Sequence, residues 1–123
     1  MLERGFYAIL DLGSLGDRDP LTVAEALLTG GASALQLRAK GRPIGELSEL
    51  AHGLTTLAER FDRPFLVNDH IELAAACGAG VHLGQHDASP ARARQSLPDG
   101  ALVGLSTHTL EQAREAVQKD VDY

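Results

Sequence analysis

From Phe6 to Tyr123, short apolar runs with the character of β-strands alternate with segments whose apolar residues recur every three to four positions. No other feature constrains the fold as much, because strands joined by crossover helices pair in parallel. The strands are expected at Phe6–Leu10, Ala34–Arg38, Phe65–Asn68, Val81–Leu83 and Leu102–Ser106. Val121-Asp122-Tyr123 reads as the opening of a sixth.

The punctuation between the strands agrees with this. Asp19-Pro20 supplies an N-cap followed by proline at the first helical position, and Ser89-Pro90 does the same further on. The first helix carries Leu21, Ala24, Leu27 and Leu28 on one face and stops at Gly30-Gly31. The second has the fullest stripe, with Leu47, Leu50, Ala51, Leu54, Leu57, Ala58 and Phe61, and ends at Arg63-Pro64. A short helix is expected from about Ile71 to Cys77, closed by Gly78-Ala79-Gly80, and Thr109 with Gln112 forms a capping box for the last. Repeats, linkers and low-complexity segments are absent, so residues 1–123 read as a single domain.

Within 123 residues, 44% are hydrophobic, enough for a core in one domain. A formal net charge of -6 argues against a nucleic-acid surface, which is normally basic. Cys77 is the only cysteine, so no intrachain disulfide can form and a reducing cytoplasm is expected. Met1-Leu2-Glu3-Arg4-Gly5-Phe6 lacks the apolar centre of a signal peptide, and no apolar stretch approaches the roughly 20 residues that span a bilayer. A soluble protein without a membrane or nucleic-acid partner is the expectation.

Strand alternation sorts side chains onto two faces. Gln36 and Arg38 share a face with Lys40 beyond them, Asn68 lies with Leu66, and Ser106 with Gly104. Asp69 and Asp87 follow the third and fourth strands directly. Parallel α/β proteins build their sites at the carboxyl ends of the strands. Two carboxylates there suit magnesium, which takes oxygen ligands and shares them with substrate phosphates. Arg38 and Lys40 would hold diphosphate oxygens, with Asn68 and Ser106 as neutral donors.

Each residue also has a plainer reading. Asp69 could cap the helix that follows it, whereas Ser89 already serves the helix after Asp87. Arg38 and Lys40 could be solvated loop charges. His70, His82, His86 and His108 lie near the same rim without a zinc-ligand pattern; His82 reads as an interior hydrogen-bonded residue and His52 as a helix-surface one. Neither a Gly-x-Gly-x-x-Gly turn nor a P-loop follows the first strand, which argues against dinucleotide and nucleoside triphosphate sites.

Taken together, Gln36-Leu37-Arg38-Ala39-Lys40, Val67-Asn68-Asp69, Val81-His82-Leu83-Gly84-Gln85-His86-Asp87 and Gly104-Leu105-Ser106-Thr107-His108-Thr109 resemble the thiamine-phosphate synthase family in order and spacing. The resemblance implies a TIM-type (β/α)₈ barrel, of which this chain would form about five βα units, the amino-terminal portion. It implies a cytoplasmic transferase of thiamine biosynthesis. That enzyme joins 4-amino-5-hydroxymethyl-2-methylpyrimidine diphosphate to a thiazole phosphate, releasing thiamine monophosphate and pyrophosphate. By similarity, Gln36, Leu37, Arg38, Ala39, Lys40, Asn68 and Ser106 would hold the pyrimidine diphosphate. Arg38, Lys40 and Ser106 would act on the leaving group, and Asp69 and Asp87 would bind Mg²⁺.

Two departures from the family pattern stand out. Gly78-Ala79-Gly80-Val81-His82 is one residue shorter than the family's segment, a change expected at the rim opposite the site. The family's Pro-Thr-x-Thr-Lys and later phosphate loops have no counterpart before Tyr123. The 123 residues alone are therefore expected to have little or no synthase activity, and self-association or a second fragment would cover an open barrel edge. Two other readings stay open: a thiazole tautomerase of the same fold, and a flavodoxin-like binding or signalling module, in which strand order would reverse.

Overall fold

The computed structural model describes residues 2 and 4–123. Strands and helices alternate throughout: β1 (Phe6–Asp11), α1 (Pro20–Thr29), β2 (Ala32–Arg38), α2 (Ile44–Arg60), β3 (Phe65–Asn68), α3 (Ile71–Cys77), β4 (Gly80–Leu83), α4 (Pro90–Ser96), β5 (Val103–Leu105) and α5 (Leu110–Ala116). A turn of 3₁₀ helix over Leu12–Ser14 follows β1. Every helix and each of the first five strands expected from the sequence is present, whereas residues 121–123 are not themselves a strand. The clearest shift in a boundary is β2, which starts at Ala32 because Ala32 pairs with Phe6 although Ala and Ser are weak strand formers.

The five strands form one parallel sheet in the order β1-β2-β3-β4-β5. Sequential neighbours without a reversal are the arrangement of a (β/α) barrel. A doubly wound module needs a switch in strand order, so the flavodoxin-like reading is overturned. Beyond β5, the Asp122 amide donates to Val103 O at 2.8 Å and the Leu105 amide to Tyr123 O at 2.9 Å. Residues 121–123 thus lie where a sixth strand would begin, running with β5.

Helix starts follow the sequence signals. The Asp19 carboxylate accepts from the Thr22 amide, Ser89 Oγ from Arg92 and Thr109 Oγ1 from Gln112. The Gln112 side chain closes its box on the His108 amide, one residue ahead of the cap. Gly78 ends α3 in the left-handed region at φ 72°, which suits a residue without Cβ. Gly80 then opens β4 so close to β5 that a Cβ would meet Leu102 O at 2.6 Å. This shortened turn sits at the amino end of β4, away from Asp87.

Register sorts the two faces of the sheet. Ala8, Leu10, Leu35, Leu37, Val67, Val81 and Val103 are buried in the core beneath the helices, with Leu47, Ala51 and Leu54 of α2. The opposite face carries Ile9 beside Gln36, Gln36 beside Leu66, Asn68 beside His82 and His82 beside Gly104. In a closed barrel this would be the interior. Here it is partly open, and Ile9 is 53% exposed. Among the described residues, no helix is long and apolar enough to cross a membrane.

Candidate functional site

The carboxyl ends of β3 and β4 bring two acids together. Asp69 leaves β3 with φ 68°, a conformation that an L-residue adopts at a cost and that Asp and Asn tolerate best. Its amide donates to His82 O at 2.9 Å, tying the exit of β3 to β4. Asp69 is not a cap, since α3 begins from His70 without a side-chain cap bond. Asp87 lies in the turn after β4, where its Oδ2 accepts from the Gly84 amide at 2.7 Å. A Cβ on Gly84 would come within 2.9 Å of that oxygen, so a side chain there would push the Asp87 carboxyl aside.

The two carboxyl groups act on each other electrostatically. Burial, then the hydrogen bond and charge of Asp87, raise the Asp69 pKa; the hydrogen bond from Asp69 is the main cause that lowers that of Asp87. Lys40 and His70 pull both downward. Such a pair holds one proton more readily than two like charges, as adjacent carboxylates do.

Arg38 lies at the same rim but faces Asp11, its register partner, with Nε 3.6 Å from Oδ2. Asp11 also accepts from the Gly13 amide. Leu37 and Ala39 are buried; Leu37 belongs to the core cluster beneath the helices, so its backbone alone is available to a rim site. Asn68 is buried beside Asp69. His86 and His108 are exposed, and His52 stands on the outer face of α2 as expected.

Gln36 and Ser106 are linked across the open face of the sheet. Gln36 Nε2 donates to Tyr7 Oη at 2.8 Å, and Tyr7 Oη lies 2.6 Å from Tyr123 Oη. Tyr123 Oη lies 3.1 Å from His82 Nδ1, and His82 Nε2 lies 2.7 Å from Ser106 Oγ. His82 is thus the interior hydrogen-bonded residue anticipated from the sequence. Burial lowers its pKa against the opposing charge of Asp87 and keeps it neutral near pH 7. Burial likewise raises both tyrosines, so each phenol keeps its proton. The backbone of Ser106 is pinned by its amide, which donates to Leu83 O, and by Gln85 Nε2, which donates to its carbonyl.

Of the expected site residues, Asp69 and Asp87 interact, and the charge of Lys40 acts on both from nearby. Gln36 and Ser106 meet through the tyrosines and His82, and Arg38 stands aside with Asp11. Tyr7, Tyr123, Asp11 and His70 were given no role in the site from the sequence. Aromatic residues in strands read as core, and a pairing between Asp11 and Arg38 is visible only once register is known. Among the described residues, no group of three or more His, Cys, Asp or Glu side chains could by itself hold a metal ion.

Five parallel βα units in sequential order, with polar side chains gathered at the carboxyl ends of the strands, define a (β/α)-barrel protein. The sequence model of thiamine monophosphate synthase matches residues 6–123, and the chain belongs to that family. It is 40% identical over 124 residues to a thiamine-phosphate synthase of Halalkalibacterium halodurans, covering 100% of this chain and 59% of the relative. It is 45% identical over 125 residues to the thiamine-phosphate synthase of Marinobacter nauticus, covering 99% and 56%. A solved structure, thiamine phosphate pyrophosphorylase from Pyrococcus furiosus, superimposes with a TM-score of 0.85 at 32% identity over 96% of this chain and 57% of its own. The chain thus spans little more than half the length of these relatives.

Proposed function

We propose that this chain is the amino-terminal part of a thiamine-phosphate synthase. The reaction joins a hydroxymethylpyrimidine diphosphate to a thiazole phosphate, giving thiamine monophosphate and pyrophosphate. The observation that carries the reading is the crowding of Asp69 against Asp87 at the ends of adjacent parallel strands, with Lys40 bearing on both. Two crowded carboxyls, one of them with its pKa raised by burial and by its neighbour, are stabilised by a divalent cation between or beside them. The donor set is all oxygen and leaves room for substrate ligands, which fits Mg²⁺. When bound, magnesium would neutralise charge growing on the departing diphosphate.

The chain's own residues do the rest. Lys40 supplies a point charge beside the acids. Arg38 would leave Asp11, a half-exposed pair of modest strength, to grip a phosphate oxygen. Gln36, Asn68 and Ser106, together with backbone groups of Leu37 and Ala39, would bind and orient the substrate. Departure of diphosphate from a carbon flanked by an electron-rich aminopyrimidine needs charge neutralisation and placement of the thiazole nitrogen, with no strong general base. A tautomerase would have no leaving diphosphate for the acid pair to serve. The thiazole phosphate site would be built by further strands, and the open face holding Ile9 and the free edge of β1 would be covered by them, by a second fragment or by self-association. A cytoplasmic location suits this chemistry.

The test is a chimera in which this chain is continued by the part of the Halalkalibacterium relative that it does not cover. Mg²⁺-dependent formation of thiamine monophosphate is expected. Asp69→Ala and Asp87→Ala should each reduce kcat by at least ~10²-fold, as loss of one transition-state stabiliser does. A folded chimera with near-normal turnover in both variants would remove the acid pair from the mechanism.

A further inference from the structure

Five polar groups from five places in the sheet form one unbranched line of hydrogen bonds: Gln36, Tyr7, Tyr123, His82 and Ser106. Its direction follows from counting hydrogens. The Gln36 amide nitrogen has only donors to offer, so Tyr7 Oη accepts at that end. Each phenol has one hydrogen, and a neutral imidazole donates from one nitrogen and accepts at the other. If Tyr7 donates to Tyr123 and Tyr123 to His82 Nδ1, every hydrogen along the line is used. His82 then carries its proton on Nε2 and donates it to Ser106 Oγ. Run the other way, His82 Nε2 would take the Ser106 hydrogen, and the Tyr7 hydrogen would have no partner in the line. Polar hydrogens in a half-buried site are rarely left so.

We propose that Tyr7 and Tyr123 are positioning residues that fix the direction of this line, hold His82 as its Nε2–H tautomer and leave the Ser106 hydroxyl hydrogen free for an anionic oxygen at the rim. Ser106 is then a donor before any ligand arrives, because its lone pair is already engaged by His82 and its backbone is held by Leu83 and Gln85. Packing enforces the arrangement: a Cβ on Gly104 would come within 2.6 Å of His82 Nδ1 and Tyr123 Oη, so glycine there lets the two rings meet. That the anionic oxygen belongs to a diphosphate rests on the proposed function; the tautomer of His82 does not.

The test reads the tautomer directly in this chain, without substrate. Protein labelled with ¹⁵N-histidine is examined near pH 7 by two-bond proton–nitrogen correlation, and His82→Gln identifies the signal by removing it. The Nε2–H form should dominate in the wild type. In Tyr123→Phe, which keeps the ring and removes the hydroxyl, the ratio of Nε2–H to Nδ1–H should fall about five- to tenfold, the effect of one lost hydrogen bond. Tyr7→Phe should lower it less, acting one bond further away. A dominant Nδ1–H form in the wild type overturns the proposal whatever the variants do. So does an unchanged ratio in a Tyr123→Phe protein whose amide spectrum retains the dispersion of the fold. A purely structural tyrosine would alter melting and leave the ratio alone.

Discussion

Asp69, whose carboxyl interacts with that of Asp87, leaves β3 with its backbone in the left-handed region at φ 68°. The chain thus holds an unfavourable backbone and two adjacent carboxyls in one place. Strain and like charge stored together at strand ends are characteristic of sites that meet a ligand.

Relieving one of the two should therefore stabilise the chain in the absence of a ligand. Asparagine tolerates φ 68° as well as aspartate does, and its amide can donate to Asp87. Asp69→Asn is expected to gain about 0.5 kcal/mol, or about 2 °C in Tm, the effect being trimmed by solvent at a half-buried group. Asp69→Ala restores strain and should lose stability. Differential scanning calorimetry without magnesium decides the order.

The same pair sets a pH dependence. The folded-state pKa of Asp69 lies above its unfolded value, so its contribution favours folding below the unfolded pKa and is lost as pH rises through the folded one. The advantage of Asp69→Asn over wild type should therefore grow from pH ~4 toward pH 7. Urea midpoints for both proteins across that range give the slope; parallel curves would mean that the carboxyls do not interact.

Much of this was readable in the sequence, for physical reasons. The helices announced themselves through the stripe from Leu47 to Phe61 and through Asp19-Pro20 and Ser89-Pro90, where cap chemistry is local. Alternation put Gln36, Asn68, Gly104 and Ser106 on one face because the strand period is two. What depended on register stayed hidden. The Asp11–Arg38 pair and the meeting of Tyr7 with Tyr123, 116 residues apart in sequence, arise only when β1 lies beside β2 and residues 121–123 beside β5. The positive φ of Asp69 carried no sequence signal beyond the residue type.

Arg94 clamps the start of β5 to the chain beyond it. Its guanidinium donates to Ala101 O, Asp120 O and Asp122 Oδ2, and Asp122 also accepts from the Val103 amide. Arg94→Ala should cost about 1–3 kcal/mol, in the range for charged hydrogen bonds with a partner left behind. Burial opposes ionisation of Asp122, but the Val103 amide and Arg94 prevail and hold its pKa below the ordinary value. Its contribution is thus present above the unfolded pKa and lost as pH falls through the folded one. The gap in denaturant midpoint between wild type and Asp122→Asn should close in acid; a gap that widened would contradict the clamp.

Gly104 is a steric requirement of the interior. Because a Cβ would meet His82 Nδ1 at 2.6 Å, Gly104→Ala should cost about 1–3 kcal/mol through displaced rings. Circular dichroism melts measure the loss, and a neutral effect would show that the His82 and Tyr123 rings move freely.

The central claim is that the rim of Asp69, Asp87, Lys40 and Ser106 is the magnesium half of a diphosphate site. Isothermal titration of this chain with inorganic pyrophosphate, with and without Mg²⁺, tests it most directly. The account predicts binding that requires Mg²⁺ and is weakened at least ~10-fold in Asp87→Asn, the loss of about 1.4 kcal/mol. Pyrophosphate binding that is equal with and without the metal, or untouched by Asp87→Asn, would contradict it.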